Sequence, residues 1–284
     1  METLFSPAHW PVSKKTILLI LLAPVLLWLL YVSLPHNLDW HDTYRPAALA
    51  VLRGQSPFTV EIYYAAPWAA WLLIPIAVLP TPIGQMMMFL VGVAAYTYIV
   101  LRLGAPPVSR LLFMSSAAVI GCLINGNIEW MALLGAVLPP QIGLIFLAIK
   151  PQVGLGLAVY WLVTIWRDQG FRRMVITFAP VTVLLLLSFL LYGLWPLRFS
   201  QTVAWSSDNV TLFPYGIVLG IVILVQALRT ADARAALASG PFFSPYVIHF
   251  TWACMLVYFL QKPKLLLLAV LALWVPIVLK TFFR

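Results

Sequence analysis

After Lys14 and Lys15 the chain runs as TILLILLAPVLLWLLYVSL, residues 16–34, without a single charged residue. An apolar stretch of about 18 residues or more is long enough to cross a bilayer as a helix. Further apolar runs follow at 67–80, 83–101, 111–124, 131–149, 152–166, 174–195, 213–228, 242–260 and 265–283. Charged residues make up 9% of the chain, where a soluble domain has about 25%. No stretch is left over for a separate soluble domain. The pattern predicts an all-α fold: a polytopic transmembrane bundle of about 8–10 apolar segments, forming one integral membrane domain over 1–284.

The net charge of +9 calls for no nucleic acid. Lys14, Lys15, Arg167, Arg172, Arg173, Lys262, Lys264, Lys280 and Arg284 all flank apolar runs. Cations in such places set topology and meet lipid headgroups. Lys14 and Lys15 ahead of the first run predict an uncleaved signal-anchor with a cytoplasmic N-terminus. Residues 35–65 then form an extracytoplasmic loop. Three full crossings after Lys15 would leave Arg102 and Arg110 on the far side, against the positive-inside tendency. A broken or re-entrant segment near Lys150-Pro151 is therefore expected. Such backbone is tolerated at membrane depth where it faces protein or a wet cavity. Cys122 and Cys254 lie in apolar runs and read as small core residues rather than a disulfide.

Three polar sites interrupt this background. The first is the loop LDWHDTYRPAALAVLRGQSPF, 38–58, which places Asp39, His41, Asp42, Tyr44 and Arg45 together. Its TYRPAALAVLRG portion reads as a short amphipathic interfacial helix, with Pro46 in the first turn and Gly54 at the stop. The second is NGNIEW, with Asn125, Asn127 and Glu129. The third is Lys150, before Pro151. An ionised group in hydrocarbon costs roughly 2.5–3.5 kcal/mol on insertion scales. Glu129 and Lys150 therefore need a partner, a wet cavity or a route to the interface. A solvated loop accommodates Asp39, His41 and Asp42 without further role, and a metal there stays open although the spacing matches no firm ligand motif. His249, in SPYVIHFTW, fits a helix contact as well as a site. No P-loop, dinucleotide fingerprint, nucleophile elbow or HExxH motif occurs.

These pieces, in this order, resemble the bacterial integral-membrane C-type glycosyltransferases, in particular the polyprenyl-phosphate-mannose-dependent mannosyltransferase branch. Asp39-Trp40, Tyr44, Ala47-Ala48 and Gly54-Gln-Ser-Pro57-Phe58 look like that family's first extracytoplasmic loop. YYAAPWAAWLLIPIAVLP resembles its Pro-led second helix, LAIKPQ its Lys-Pro break, and SPYVIHF a late Ser-Pro-x-x-His region. The likeness covers about residues 1–260 and would make this chain a short member. One motif departs: Gly126-Asn127-Ile128-Glu129 stands where the family often has Gly-Gln-x-Asn.

The resemblance implies a multi-pass inner (plasma) membrane enzyme that moves a sugar, mannose in that branch, from a polyprenyl phosphate to an extracytoplasmic acceptor. Asp39 would be the general base, with Asp42 second. His41, Tyr44, Arg45, Asn127, Glu129, Lys150 and His249 would bind substrate, and Lys150, Arg45 or His249 would face the departing phosphate. It implies no cofactor beyond the lipid-linked donor, and bilayer lipids as partners. Two rival readings stand beside it. A non-catalytic subunit of a larger membrane complex would use the 12 Trp residues as interfacial anchors. A small transporter would line a path with Lys150 and Glu129, but most of the apolar runs lack the polar residues such a path needs.

Overall fold

Proline sets where most of these helices begin. It suits a first helical turn, where its missing N–H would have no intrahelical partner. The computed structural model describes residues 39–198 and 209–282, with side chains through 279. Among the described residues every regular element is helical. The apolar run at 16–34, and with it the placement of the N-terminus, lies outside them. A π-helical turn, Asp39–Tyr44, leads straight into α1, Arg45–Leu52, with Pro46 in its first turn. Helices α2 (Pro67–Ala77), α4 (Pro107–Met114), α7 (Pro140–Leu147) and α8 (Pro151–Tyr192) start on proline, and α3 (Thr81–Arg102) has Pro82 as its second residue. Ser116 caps α5 (Ala117–Asn125) by accepting from the Val119 N–H, an interaction worth about 1 kcal/mol. Between α5 and α7 lies the short α6, Glu129–Leu134. The C-terminal part holds α9 (Gly216–Thr230), α10 (Ala233–Ser239), α11 (Ala253–Tyr258) and α12 (Pro263–Phe282).

Two helices, α3 and α8, are long and apolar enough to cross a membrane. A third crossing is available if α4 and α5, bent by 52° at Ser115–Ser116, count as one span. Gly170, at φ 82° and ψ 168°, interrupts α8 within RDQGFRR. The two arms, 151–169 and 171–192, measure about 28 and 33 Å at 1.5 Å per residue, close to the thickness of a hydrocarbon core of about 30 Å. Among the described residues two or three helices are thus membrane-capable, and other apolar segments of the expected 8–10 form shorter helices. The run at 67–80 contracts to the 11-residue α2, about 16 Å long and too short to cross. Residues 242–260 are not one segment. They divide into a 3-10 turn, a second 3-10 turn at His249–Trp252, and α11.

One apolar core joins both halves of the chain. Trp40, Tyr63, Tyr96, Phe113 and Ile128 are fully buried in it, along with Leu256 and Leu260 from the C-terminal part. One side of the second arm of α8 and one side of α9 point away from it, while Leu185, Phe189 and Leu224 still pack against it. Leu186, Leu190 and Leu191 are exposed there, as are Val218 and Val222. Apolar exposure on this scale is out of place in water and matches a lipid-facing surface. Both cysteines are buried and free.

The expected break at Lys150 is present. A residue before proline is steered away from helical backbone, and Lys150 has φ −132° and ψ 89°. Its carbonyl accepts from the N–H groups of Val153 and Gly154, which opens α8, while its own N–H closes on Leu147 O. The break also anchors the N-terminal loop. The Ala66 N–H donates to Ile149 O at 3.2 Å, and Trp68 Nε1 donates to Ile145 O at 3.0 Å. These bonds bring the segment after α1 against the turn that carries Lys150.

Candidate functional site

A cavity of about 580 Å3 opens where several parts of the chain meet. Asp39, Thr43 and Tyr44 reach it from the π-helical turn, and Asn125 and Asn127 from the end of α5. Lys150 reaches it from the α7–α8 break, and His249 from the 3-10 turn before α11. Ligand pockets commonly measure about 300–1,000 Å3 and combine apolar walls with a few convergent polar groups. Here Ile62, Ile248 and Phe250 supply apolar wall, and Tyr64 and Tyr246, with ring centroids 6.0 Å apart, stand together on it.

Local sequence explains how Asn127 arrives. Gly126 adopts φ 67° and ends α5 in a left-handed cap, a conformation glycine takes without the Cβ penalty. The Asn127 N–H then returns to Cys122 O at 2.9 Å, and the side chain turns back toward the π-helical turn. Asn127 Nδ2 donates to Asp39 Oδ2 at 2.8 Å. Its Oδ1 accepts from the Ile128 N–H at 2.7 Å and from the Tyr44 hydroxyl at 3.3 Å. Burial is the first cause, and the nearby Asp39 carboxylate the second, that push the Tyr44 hydroxyl well above its ordinary value. Tyr44 is therefore a neutral donor.

Behind this lies a buried ion pair. Glu129 and Lys150 are 2% and 3% exposed, and Lys150 Nζ stands 3.8 Å from Glu129 Oε1. Thr251 donates its hydroxyl to the same Oε1 at 3.1 Å. The Lys150 ammonium also lies over the Tyr44 ring, 5.8 Å from its centroid. Glu129 Oε2 and His249 Nε2 are buried atoms without a hydrogen-bond partner among the described residues. Lone polar atoms of this kind are costly to bury, and a bound polar molecule would satisfy the one on the cavity wall.

The residues singled out by sequence separate into two groups. Asp39, Tyr44, Asn125, Asn127, Lys150 and His249 share the cavity, and Glu129 sits behind it against Lys150. His41, Asp42 and Arg45 do not line it. His41 Nε2 lies 3.3 Å from Gln85 Oε1 on α3, and Arg45 Nη2 donates to Leu79 O at the end of α2. Asp42 is exposed. In the π-helical turn, whose bonds run i→i+5, Asp42 does not stack on Asp39 as an i+3 residue of an α-helix would, and it stands exposed. Among the described residues no three His, Cys, Asp or Glu side chains gather as metal ligands. Sequence reasoning missed Thr251, Tyr64 and Tyr246. Thr251 is an unremarked hydroxyl in an apolar run, and its partner Glu129 lies 122 positions away.

Comparison with protein-family models, with curated proteins and with solved structures found no match to this chain. The fold and site define an all-helical protein with membrane-capable helices and a buried polar cluster opening on a cavity.

Proposed function

We propose that the protein is a membrane glycosyltransferase that takes a sugar from a polyprenyl-phosphate donor, with Asp39 as general base. The observation that carries this reading is the shared cavity. It presents a carboxylate at Asp39 and an ammonium at Lys150, from segments more than a hundred residues apart. A reaction of this class needs both. The acceptor hydroxyl attacks the anomeric carbon, and its proton passes to the Asp39 carboxylate. The bond from the anomeric carbon to the phosphate oxygen breaks, and its electron pair leaves on the phosphate. Lys150 stands where that charge can be met. Tyr44 and Asn127 serve as positioning groups. His41, Asp42 and Arg45, outside the cavity, have no part in this step. The apolar surface of α8 and α9 suits lipid contact along the polyprenyl tail, and a setting in the bacterial inner membrane goes with the same reading.

The test is transfer of radiolabelled sugar from polyprenyl-phosphate donors to membrane acceptors by the purified protein in lipid. Donor-dependent product is expected. Asp39→Asn is expected to lose about 10²–10⁴ in rate, the usual weight of a general base, while binding the donor lipid nearly as well. Asp42→Asn should stay close to wild type. Absence of product with every polyprenyl donor would replace this reading with that of a non-catalytic membrane subunit.

A further inference from the structure

The Asn127 amide has a determined orientation. The Ile128 N–H can only donate, so the atom facing it at 2.7 Å is the amide oxygen. The amide nitrogen is therefore the atom 2.8 Å from Asp39 Oδ2. Reversal would set donor against donor at Ile128 and acceptor against acceptor at Asp39. Both acceptor sites of Oδ1 are taken, by Ile128 and Tyr44, and one of the two N–H groups is taken by Asp39. At 3% exposure the side chain has little left to offer a substrate.

We infer that Asn127 is a positioning residue rather than a substrate-binding one: it orients Asp39 and holds it as a carboxylate ready to accept a proton. The inference rests on the general-base reading of Asp39. Its physical basis is that a donor aimed at a carboxylate favours the charged form and restricts its rotation. Asn127 is itself held on two sides. The Gly126 cap fixes its backbone, and the Tyr44 hydroxyl fixes its oxygen. Tyr44 in turn has the Lys150 ammonium over its ring. Base, positioning amide, phenol and cation thus form one connected array. Among the described residues, titratable groups near Asp39 include Tyr44, Cys122 and Glu129, with Lys150 and His249 on the cavity wall.

Two variants separate orientation from simple packing. Asn127→Ala removes every side-chain bond. Asn127→Asp keeps an oxygen for Ile128 and Tyr44 and replaces only the donor facing Asp39. The first readout is independent of activity: titration of aspartate carboxyl carbons by NMR in lipid, with the Asp39 signal assigned through Asp39→Asn. Asn127→Ala should move the Asp39 titration up by about one pH unit, the weight of one hydrogen bond to a charged group. Asn127→Asp should move it further, because two carboxyl groups would then face each other. In transfer assays kcat should fall by up to about 100-fold in both variants, with donor KM little changed and the acidic limb of the pH profile displaced upward. An Asp39 titration that stays in place in both variants, with only the unfolding midpoint lowered, would overturn the inference. A displaced titration with fully active Asp39→Asn would uphold the hold of Asn127 on Asp39 and refute the general-base reading instead.

Discussion

Replacing Lys150 by Met should be among the most destabilising single changes in the cavity wall. Methionine fills a similar volume but leaves Glu129 buried, with one oxygen on Thr251 and the other without a partner among the described residues. At the observed 3.8 Å, two unit charges attract by about 4 kcal/mol at an effective dielectric of about 20. Removing one member of a buried pair costs about 3–5 kcal/mol, because the other charge is left uncompensated. That is a large share of a domain stability of roughly 5–15 kcal/mol. Glu129→Gln should cost less, since the ammonium keeps the Tyr44 ring and the cavity beside it. The double variant should be more stable than Lys150→Met alone, with a coupling of about 0.5–3 kcal/mol. The assay is reversible SDS unfolding of wild type, both single variants and the double variant in mixed micelles, followed by circular dichroism. Simple addition of the two single effects, or a Lys150→Met midpoint equal to wild type, would refute the ion-pair account.

Three further outcomes are expected. Cysteines introduced at the exposed Gln55 and Gln169 should differ toward an impermeant thiol reagent in intact cells, with Gln55 the more reactive; the native cysteines are buried and give little background. Stronger labelling at 169 would reverse the proposed sidedness. Gly126→Ala should cost about 1 kcal/mol, from placing a Cβ at φ 67°, and should lower transfer beyond that by shifting Asn127; an unfolding midpoint equal to wild type would contradict the cap. Burial holds the His249 imidazole below its ordinary value of 6.5. Below about pH 6.5 the unfolded chain therefore takes up a proton that the folded one refuses, so this stability is present above 6.5 and is lost as pH falls. His249→Gln should flatten that part of the pH–stability curve, and an unchanged slope would count against a buried neutral ring.

The legible parts of the sequence were those governed by neighbouring residues. Pro46 and Gly54 bracketed α1, and Lys150-Pro151 marked a break, because both effects act within one or two peptide units. The runs of apolar residues disclosed an all-helical chain but not where each helix would stop. The bend between Met114 and Ala117 falls at Ser116, which caps α5, and 242–260 divides at Ser244-Pro245, local signals that a reading by apolar runs passes over. Asp39, Asn127 and Lys150 were each visible as polar interruptions. Their assembly was not derivable from spacing, since the Asp39–Asn127 bond spans 88 positions. Asp42 stood second to Asp39 in the sequence reading, and the π-helical turn leaves it exposed, off the cavity.

The central claim, that the cavity is the site of a lipid-phosphate sugar, is tested most directly by a structure of the protein in lipid with a non-hydrolysable polyprenyl-phosphonate sugar. The account predicts the phosphonate within hydrogen-bond reach of Lys150, the anomeric carbon on the Asp39 side, and the Asn127–Asp39 bond retained. A donor bound elsewhere, or a cavity closed by a protein partner with the lipid excluded, would contradict it.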